Sequence, residues 1–155
     1  MPGLIKHGAI TRDDWLPPVA DAELAPPEHL PTLSQCLALA EEAGPAVQLE
    51  PGEGVADLLP LLARLSLVAI NFPVFTDGRG FSYGRELRER GYSGELRAVG
   101  NFLPDQMHYL QRCGFDAFQF SDQTRLEEGL RQLNLFSEHY QGAIDQPLPL
   151  FRRRA

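Results

Sequence analysis

The sequence contains few of the residues on which redox and metal chemistry most often depends. It has two cysteines, Cys36 and Cys113, and no Cys-x-x-Cys pair. Thioredoxin-like motifs, cysteine-rich zinc sites and iron–sulfur clusters therefore lack their usual ligands. The four histidines are scattered and show no metal-ligand spacing. We therefore expect no metal site, and the sequence leaves the cofactor unidentified.

Long apolar runs and an excess of positive charge are also missing. No apolar run reaches the ~20 residues that a bilayer span requires, and the N-terminus lacks the apolar stretch of a signal peptide. We therefore expect a cytoplasmic protein without a membrane partner. Lys and Arg number 14 against 21 Asp and Glu, a formal net charge of −7. This balance argues against binding along a nucleic-acid backbone, which requires clustered positive charge.

The hydrophobic fraction of 43% and the charged fraction of 23% are ordinary for one globular domain. We predict a single domain over residues 1–155, in three parts. Residues 1–33 form a proline-rich, irregular N-terminal arm, with room for an edge strand near residues 5–10 and with Trp15 packed against the core. Residues 34–136 form an α/β core, and residues 137–155 form a tail.

The core shows a regular alternation of strand and helix patterns. Strands are predicted at 46–50, 67–72, 95–99 and 116–120, and helices at 55–64, 82–90, 104–113 and 124–136. We expect Ser82 to cap the second of these helices and Thr124 the last. Such alternation predicts parallel strands joined by right-handed crossovers. Four such units make half of an eightfold barrel, and a small open sheet covered on both faces is the alternative.

The direction of the side chains favours the half-barrel. In each predicted strand, the side chains on one face are apolar. Those on the other face include polar residues, which are Gln48, Glu50, Asn71, Glu95, Arg97 and Gln119. A sheet covered on both faces is apolar on both faces. The pattern therefore predicts helices on one face and a polar, concave face on the other. The alternative is that several of these polar residues are strand ends in solvent.

Ligands of such folds bind at the C-terminal ends of the strands. The loop over residues 76–85 follows the second predicted strand, contains glycines that permit close approach, and leads into a helix N-terminus that favours an anion. Its arginines supply bidentate donors. The candidate ligand-binding residues are Glu50, Asn71, Asp77, Gly78, Arg79, Gly80, Ser82, Arg85, Arg97 and Gln119. No nucleophile–base pair is recognisable, so the catalytic residues remain unassigned.

Each of these assignments has a structural alternative. The glycine spacing of the loop fits neither a phosphate-binding P-loop nor a Rossmann motif. A tight turn, in which Asp77 accepts backbone hydrogen bonds and Arg79 pairs with a nearby acid, explains the same residues. Arg97, in mid-strand, needs a partner such as Glu50 or Asp77, and otherwise helps to line the concave face.

Four segments of the core resemble those of one bacterial family. They are FPVFTDGRGFSYGRELR at 72–88, GELRAVG at 94–100, Asp105-Gln106, and RCGFD at 112–116. The family is one of unknown function, whose members are often described as oxidoreductases involved in sulfite reduction. Their genes typically sit beside the gene for assimilatory sulfite reductase. The resemblance covers most of residues 46–136, implies a role in sulfur assimilation towards cysteine, and supplies no catalytic residues.

Three hypotheses of function follow. The first is an accessory protein of sulfite reduction, which docks on sulfite reductase or a redox partner or carries a small anion such as sulfite. The second is an oxidoreductase or other small-molecule enzyme with an anion bound at residues 76–85, although no flavin, nicotinamide, siroheme or cluster motif is recognisable. The third is structural: the strand edges of a half-barrel are exposed, and either a second chain, in a homodimer, or the N-terminal arm covers them.

Overall fold

The computed structural model describes residues 3–13, 15–39, 45–76 and 78–136. Within these ranges, six strands form one sheet in the order β2-β1-β6-β5-β4-β3. The strands are β1 Gly3–Lys6, β2 Ala9–Arg12, β3 Ala46–Leu49, β4 Leu67–Phe72, β5 Glu95–Gly100 and β6 Ala117–Phe120. The α-helices are α1 Leu33–Leu39, α2 Arg79–Glu89, α3 Met107–Arg112 and α4 Leu126–Phe136, and 3₁₀ helices lie at Val55–Arg64, Pro104–Gln106 and Gln123–Arg125.

Strands β3 to β6 are parallel, and each lies beside the next one in the chain. An α/β fold built from four successive strand–helix units is therefore confirmed. The first connecting helix is a 3₁₀ helix rather than an α-helix, and it contains Pro60, which has no N–H to donate. The sheet as a whole is mixed rather than parallel, because β1 pairs antiparallel with both β2 and β6.

The N-terminal arm begins with a β-hairpin, where the sequence predicted irregular chain with at most an edge strand. His7 and Gly8 form its turn with φ values of 56° and 75°, and positive φ at both central residues is typical of a type I′ turn. The hairpin extends the sheet because Ile5 lies opposite Phe118 of β6 and is fully buried. After the hairpin, the arm is irregular as far as α1, apart from isolated bridges.

The main hydrophobic core lies on one face of the parallel strands. The strands contribute residues such as Val68, Ile70 and Phe118, and the helices contribute Leu58, Leu87, Leu110 and Leu133. Phe72 lies among three aromatic rings, Phe81, Phe102 and Phe115, at centroid distances of 5.2 to 6.1 Å. The helices that follow the parallel strands thus pack on a single face of the sheet.

The opposite face carries the polar residues that the strand parity predicted, but the N-terminal arm covers part of it. A second, smaller core lies there, in which Leu30 and Trp15 of the arm pack on Ala69, Val99 and neighbouring strand residues. The predicted packing of Trp15 against the core is confirmed. The arm therefore covers part of the polar face, which is not the open surface that the sequence predicted.

Arg97 lies at the centre of a charge network on this face. The side chain is only 4% exposed, and its Nη1 donates to Oδ1 of Asp13 at 2.8 Å. Its Nη2 and Nε lie 2.7 and 2.8 Å from Oε2 of Glu95, whose Oε1 lies 2.6 Å from Nζ of Lys6. Arg97 is therefore paired within the sheet and with the arm, which supports the structural interpretation of this residue over a place in a ligand site.

The partners of Arg97 differ from those that the sequence suggested. Glu50 is hydrogen-bonded to Asn71 instead, and Asp77 lies outside the described residues. The partner Asp13 is 1% exposed, and its Oδ1 also accepts from the backbone N–H of Trp15 at 3.0 Å. The carboxylate of Asp13 thus joins the part of the arm that follows β2 to the middle of β5.

The Asp13–Arg97 pair predicts a large stability change for Asp13→Ala. This substitution leaves the buried guanidinium with fewer partners and detaches the arm, so we expect a loss of about 3 kcal/mol of unfolding free energy. Urea denaturation measures this loss. Asp21→Ala, which removes an exposed carboxylate of the same arm, is the control and should change stability by less than about 0.5 kcal/mol. Equal effects of the two substitutions would contradict the role given to the pair.

Candidate functional site

A cleft of about 440 Å³ lies where the C-terminal ends of the parallel strands meet the arm. Its lining comprises Trp15, Leu16, Pro17 and Leu30 of the arm, and Gln48, Asn71, Val99, Gly100, Gln119, Phe120, Ser121 and Gln123 of the sheet and its loops. The carboxyl ends of parallel strands are where α/β proteins bind their ligands. We therefore take this cleft as the candidate site.

Backbone hydrogen bonds hold the arm over the cleft. The N–H of Leu16 donates to the carbonyl of Glu28, and the N–H of Leu30 donates to the carbonyl of Leu16, both at 2.8 Å. The N–H of Gln48 in β3 donates to the carbonyl of Pro31, also at 2.8 Å. The two halves of the arm are thus paired with each other, and the second half is docked on the edge of the sheet.

The amides on the floor of the cleft are oriented by a carboxylate at the end of β3. Oε1 of Glu50 accepts from Nδ2 of Asn71 at 2.7 Å, and Oε2 accepts from Nε2 of Gln48 at 2.9 Å. Both amides therefore have an NH₂ group committed to Glu50. Among the described residues that line the cleft, none has an ionisable side chain, so the surface that they form is polar but uncharged.

The end of β5 approaches the floor closely because it is a glycine. Gly100 has a φ of 113°, and a Cβ at this position would lie 2.6 Å from Oδ1 of Asn71 and 2.5 Å from the carbonyl oxygen of Phe72. The next residue, Asn101, donates its N–H to that same carbonyl at 2.7 Å. A larger residue at 100 would displace this corner of the cleft.

The predicted anion-binding loop has a different local structure from the one expected. Helix α2 begins at Arg79, three residues before the predicted start, and its N-cap Gly78 makes no side-chain capping bond. Ser82 lies inside the first turn and donates its hydroxyl to the carbonyl of Arg79 at 2.9 Å. The prediction that Ser82 caps this helix is therefore wrong. Asp122, and not Thr124, accepts the capping bond before α4.

The structure brings together only some of the ten candidate residues. Glu50, Asn71 and Gln119 lie at or beside the cleft. Arg79 lies against the loop after β3, where its Nη1 is 3.7 Å from the Cβ position of Gly52. Asp77 is outside the described residues, so its role stays a prediction.

The other two arginines point elsewhere. Nη2 of Arg85 lies 3.5 Å from Sγ of Cys113, and so this side chain faces the end of α3. Arg97 belongs to the ion-pair network with Asp13 and Glu95. The loop over residues 76–85 and the polar face of the sheet are thus separate features.

Several residues of the cleft were missed as site residues. Trp15 was expected to pack on the core, and Ser121 was noted only as a C-terminal strand end, but Leu30 and Gln123 were not singled out. The shape of the arm at the strand ends depends on the pairing of Leu16 with Glu28 and Leu30. No local pattern in a proline-rich segment indicates such pairing. Gln123 lies three residues after the end of β6, and its position near a C-terminal strand end was the one available signal.

The structure gives Gly80 a packing role in place of the predicted contact with a ligand. A Cβ on Gly80 would lie 2.5 Å from the ring of Phe72 and 3.0 Å from Ile70, whereas a Cβ on Gly78 would meet nothing within 4 Å. Gly80→Ala should therefore cost about 3 kcal/mol of unfolding free energy through overpacking. The control Gly78→Ala should cost less than about 1 kcal/mol. Thermal and urea unfolding measure the stability of both variants. A Gly80→Ala variant as stable as the wild-type protein would contradict the packing role and restore Gly80 as a candidate ligand contact.

Among the described residues, no group of three or more histidine, cysteine or acidic side chains is placed to hold a metal ion. In the same part of the chain, no helix has the length and hydropathy needed to cross a bilayer.

Comparison with known proteins identifies the family. A family model described as a bacterial protein of unknown function, DUF934, matches residues 46–151. This region begins at β3 and includes all four parallel strands and helices α2 to α4. No curated protein and no solved structure matched the chain in the corresponding comparisons. Since the family model covers more than half of the sequence, the chain belongs to the DUF934 family of bacterial proteins of unknown function.

Proposed function

We propose that the protein is a cytoplasmic accessory protein of assimilatory sulfite reduction, which serves cysteine biosynthesis by docking on sulfite reductase. The pathway is supported by the resemblance of residues 72–88 and 94–100 to proteins encoded beside that reductase. An accessory role fits a cleft whose described lining residues carry no ionisable side chain, since general acid–base catalysis requires such a group within reach of the substrate.

The observation that carries the docking proposal is an exposed apolar pair in the loop after β4. Val74 and Phe75 are neighbours in sequence, and they are 53% and 50% exposed. Exposed aromatic and aliphatic side chains in one patch are typical of protein interaction sites. Nε2 of Gln106 donates to the carbonyl of Phe75 at 3.3 Å, which ties this loop to the 3₁₀ helix before α3.

The position of this pair relates docking to the cleft. Phe75 borders a second, smaller cleft of about 250 Å³, lined also by Phe102 and Leu103. Gly100 lines both this cleft and the larger one. A reductase bound over Phe75 would therefore lie beside the mouth of the main cleft, where it would control access to a bound ligand.

A native pull-down from the protein's own host tests the proposal. The wild-type protein should recover sulfite reductase, and Phe75→Glu should reduce recovery about 30-fold, the effect of losing a 2 kcal/mol interface contact. Leu135→Glu is the matched control, because Leu135 is an apolar side chain of similar exposure, 58%, and lies in α4 rather than in the loop after β4. Failure of the wild-type protein to recover the reductase, or equal loss in both variants, would contradict docking through this loop.

The second candidate function is an oxidoreductase or other small-molecule enzyme that binds an anion at residues 76–85. It is favoured by the start of α2, an 11-residue helix whose N-cap Gly78 provides no side-chain capping bond. First-turn N–H groups and the helix dipole favour an anion at such an end. The first residue of the helix, Arg79, adds a guanidinium.

Growth on sulfate as the sulfur source separates the two functions. If an anion is bound for chemistry at this loop, Arg79→Ala should abolish complementation of a deletion strain while the melting temperature changes little. Arg90→Ala is the control, since Arg90 is exposed at the other end of α2 and pairs only with Glu86 in the described structure. Normal growth with Arg79→Ala would remove the enzyme hypothesis.

We also propose a half-barrel arrangement for the strand–helix units. It is supported by the consecutive order of β3 to β6 and by the single helical face. The edges of the sheet are β2 and β3, and all four residues of β2 are exposed. An exposed edge strand is a template for a second copy, so a homodimer stays a prediction, with β2 as its most accessible edge.

A further inference from the structure

We infer that the cleft between the arm and the sheet binds an uncharged, planar heterocycle with amide-like hydrogen-bonding groups, of the kind found in nucleobases and nicotinamide. This inference does not depend on docking to sulfite reductase. It concerns the contents of the cleft, whereas docking concerns the loop that carries Phe75.

A solvent-accessible amide in the cleft, with no partner among the described residues, provides the first argument. Gln119 in β6 is half-buried and lines the cleft, and its side chain makes no hydrogen bond within the described part of the chain. A partly buried amide has two donor and two acceptor positions to satisfy. Neighbouring amides of Gln48 and Asn71 already have Glu50 as a partner. The side chain of Gln119 is thus the group that a ligand with complementary donors and acceptors would satisfy.

The apolar part of the lining provides the second argument. Trp15 is half-buried and packs with Leu30 and Val99, and all three line the cleft. An indole beside two aliphatic side chains offers a flat apolar wall, on which a planar ring stacks favourably. Stacking of a nucleobase on an aromatic side chain contributes about 1–3 kcal/mol.

The charge of the lining provides the third argument. None of the described residues that line the cleft is cationic, and the carboxylate of Glu50 lies one hydrogen bond away from Asn71 and Gln48 on its floor. An anion would enter without a counter-charge and close to a negative one, which is unfavourable at low dielectric. The volume of about 440 Å³ is in the range of small-molecule pockets. A neutral ring therefore fits the cleft, and sulfite, sulfate or phosphate does not.

The test uses the fluorescence of Trp15, which is the only tryptophan in the chain and lines this cleft as well as a neighbouring pocket with Lys6 and Arg97. The intact protein is titrated with adenosine, uridine and nicotinamide as neutral rings, and with sodium sulfite and sodium sulfate as anions. We expect a saturable change with at least one ring and none with the anions. The ring that saturates identifies the source of the heterocycle. N-acetyltryptophanamide, titrated in parallel, shows the linear change expected of collisional quenching.

Two matched variants locate the binding. Gln119→Leu should weaken the saturating probe about 10-fold or more, because a satisfied amide pair in the cleft is lost. Gln111→Leu, at a half-buried glutamine of α3, should bind as the wild-type protein does. Absence of saturation by all three rings, saturation by the anions, or unchanged affinity in Gln119→Leu would overturn the inference. The titrations of the wild-type protein decide the outcome even if Gln119→Leu does not fold.

Discussion

The buried ion pair between Asp13 and Arg97 is the contact on which the arrangement of the arm and the sheet depends. A guanidinium in the middle of β5 has to be paired when it is removed from water, and a carboxylate that is 1% exposed has to be paired as well. Arg97 also pairs with Glu95, whereas Arg97 is the one cationic partner of Asp13 among the described residues. Because Asp13 also accepts from the N–H of Trp15, the pair fixes the direction in which the proline-rich arm leaves the hairpin.

The candidate site is a consequence of this contact. The sheet alone would present a polar face with Gln48, Asn71 and Gln119 open to solvent. The arm adds Trp15 and Leu30, which turn part of that face into a cleft with an apolar wall and an uncharged, hydrogen-bonding floor. The family model begins at residue 46, so the matched region supplies the floor and the preceding arm supplies the wall. In this account, the arm is the part of the chain that determines what the cleft accepts.

Local patterns were sufficient for the core of the fold and insufficient for the site. The four parallel strands were predicted to within one residue at each end, because β-rich runs between Gly and Pro residues and strand parity are local signals. The partner of Arg97 was missed, since Asp13 lies 84 residues away in an irregular segment. The hairpin was missed as well, because its His7-Gly8 turn is not one of the common turn pairs. Gly80 was interpreted as a ligand contact because the ring of Phe72 that occupies its Cβ position belongs to another element.

The central claim is that the arm is docked on the sheet in the folded protein, and amide hydrogen exchange tests it most directly. In the structure, the N–H groups of Leu16, Leu30 and Gln48 are hydrogen-bonded to Glu28, Leu16 and Pro31, respectively. The N–H of Gln48 reports on docking directly, because its acceptor Pro31 lies in the arm, whereas the amides of Leu16 and Leu30 report on pairing within the arm. The account predicts that all three amides exchange slowly. Exchange of the Gln48 amide at the rate of an unstructured peptide, while β4 and β5 stay protected, would contradict the docked arm and the cleft built on it.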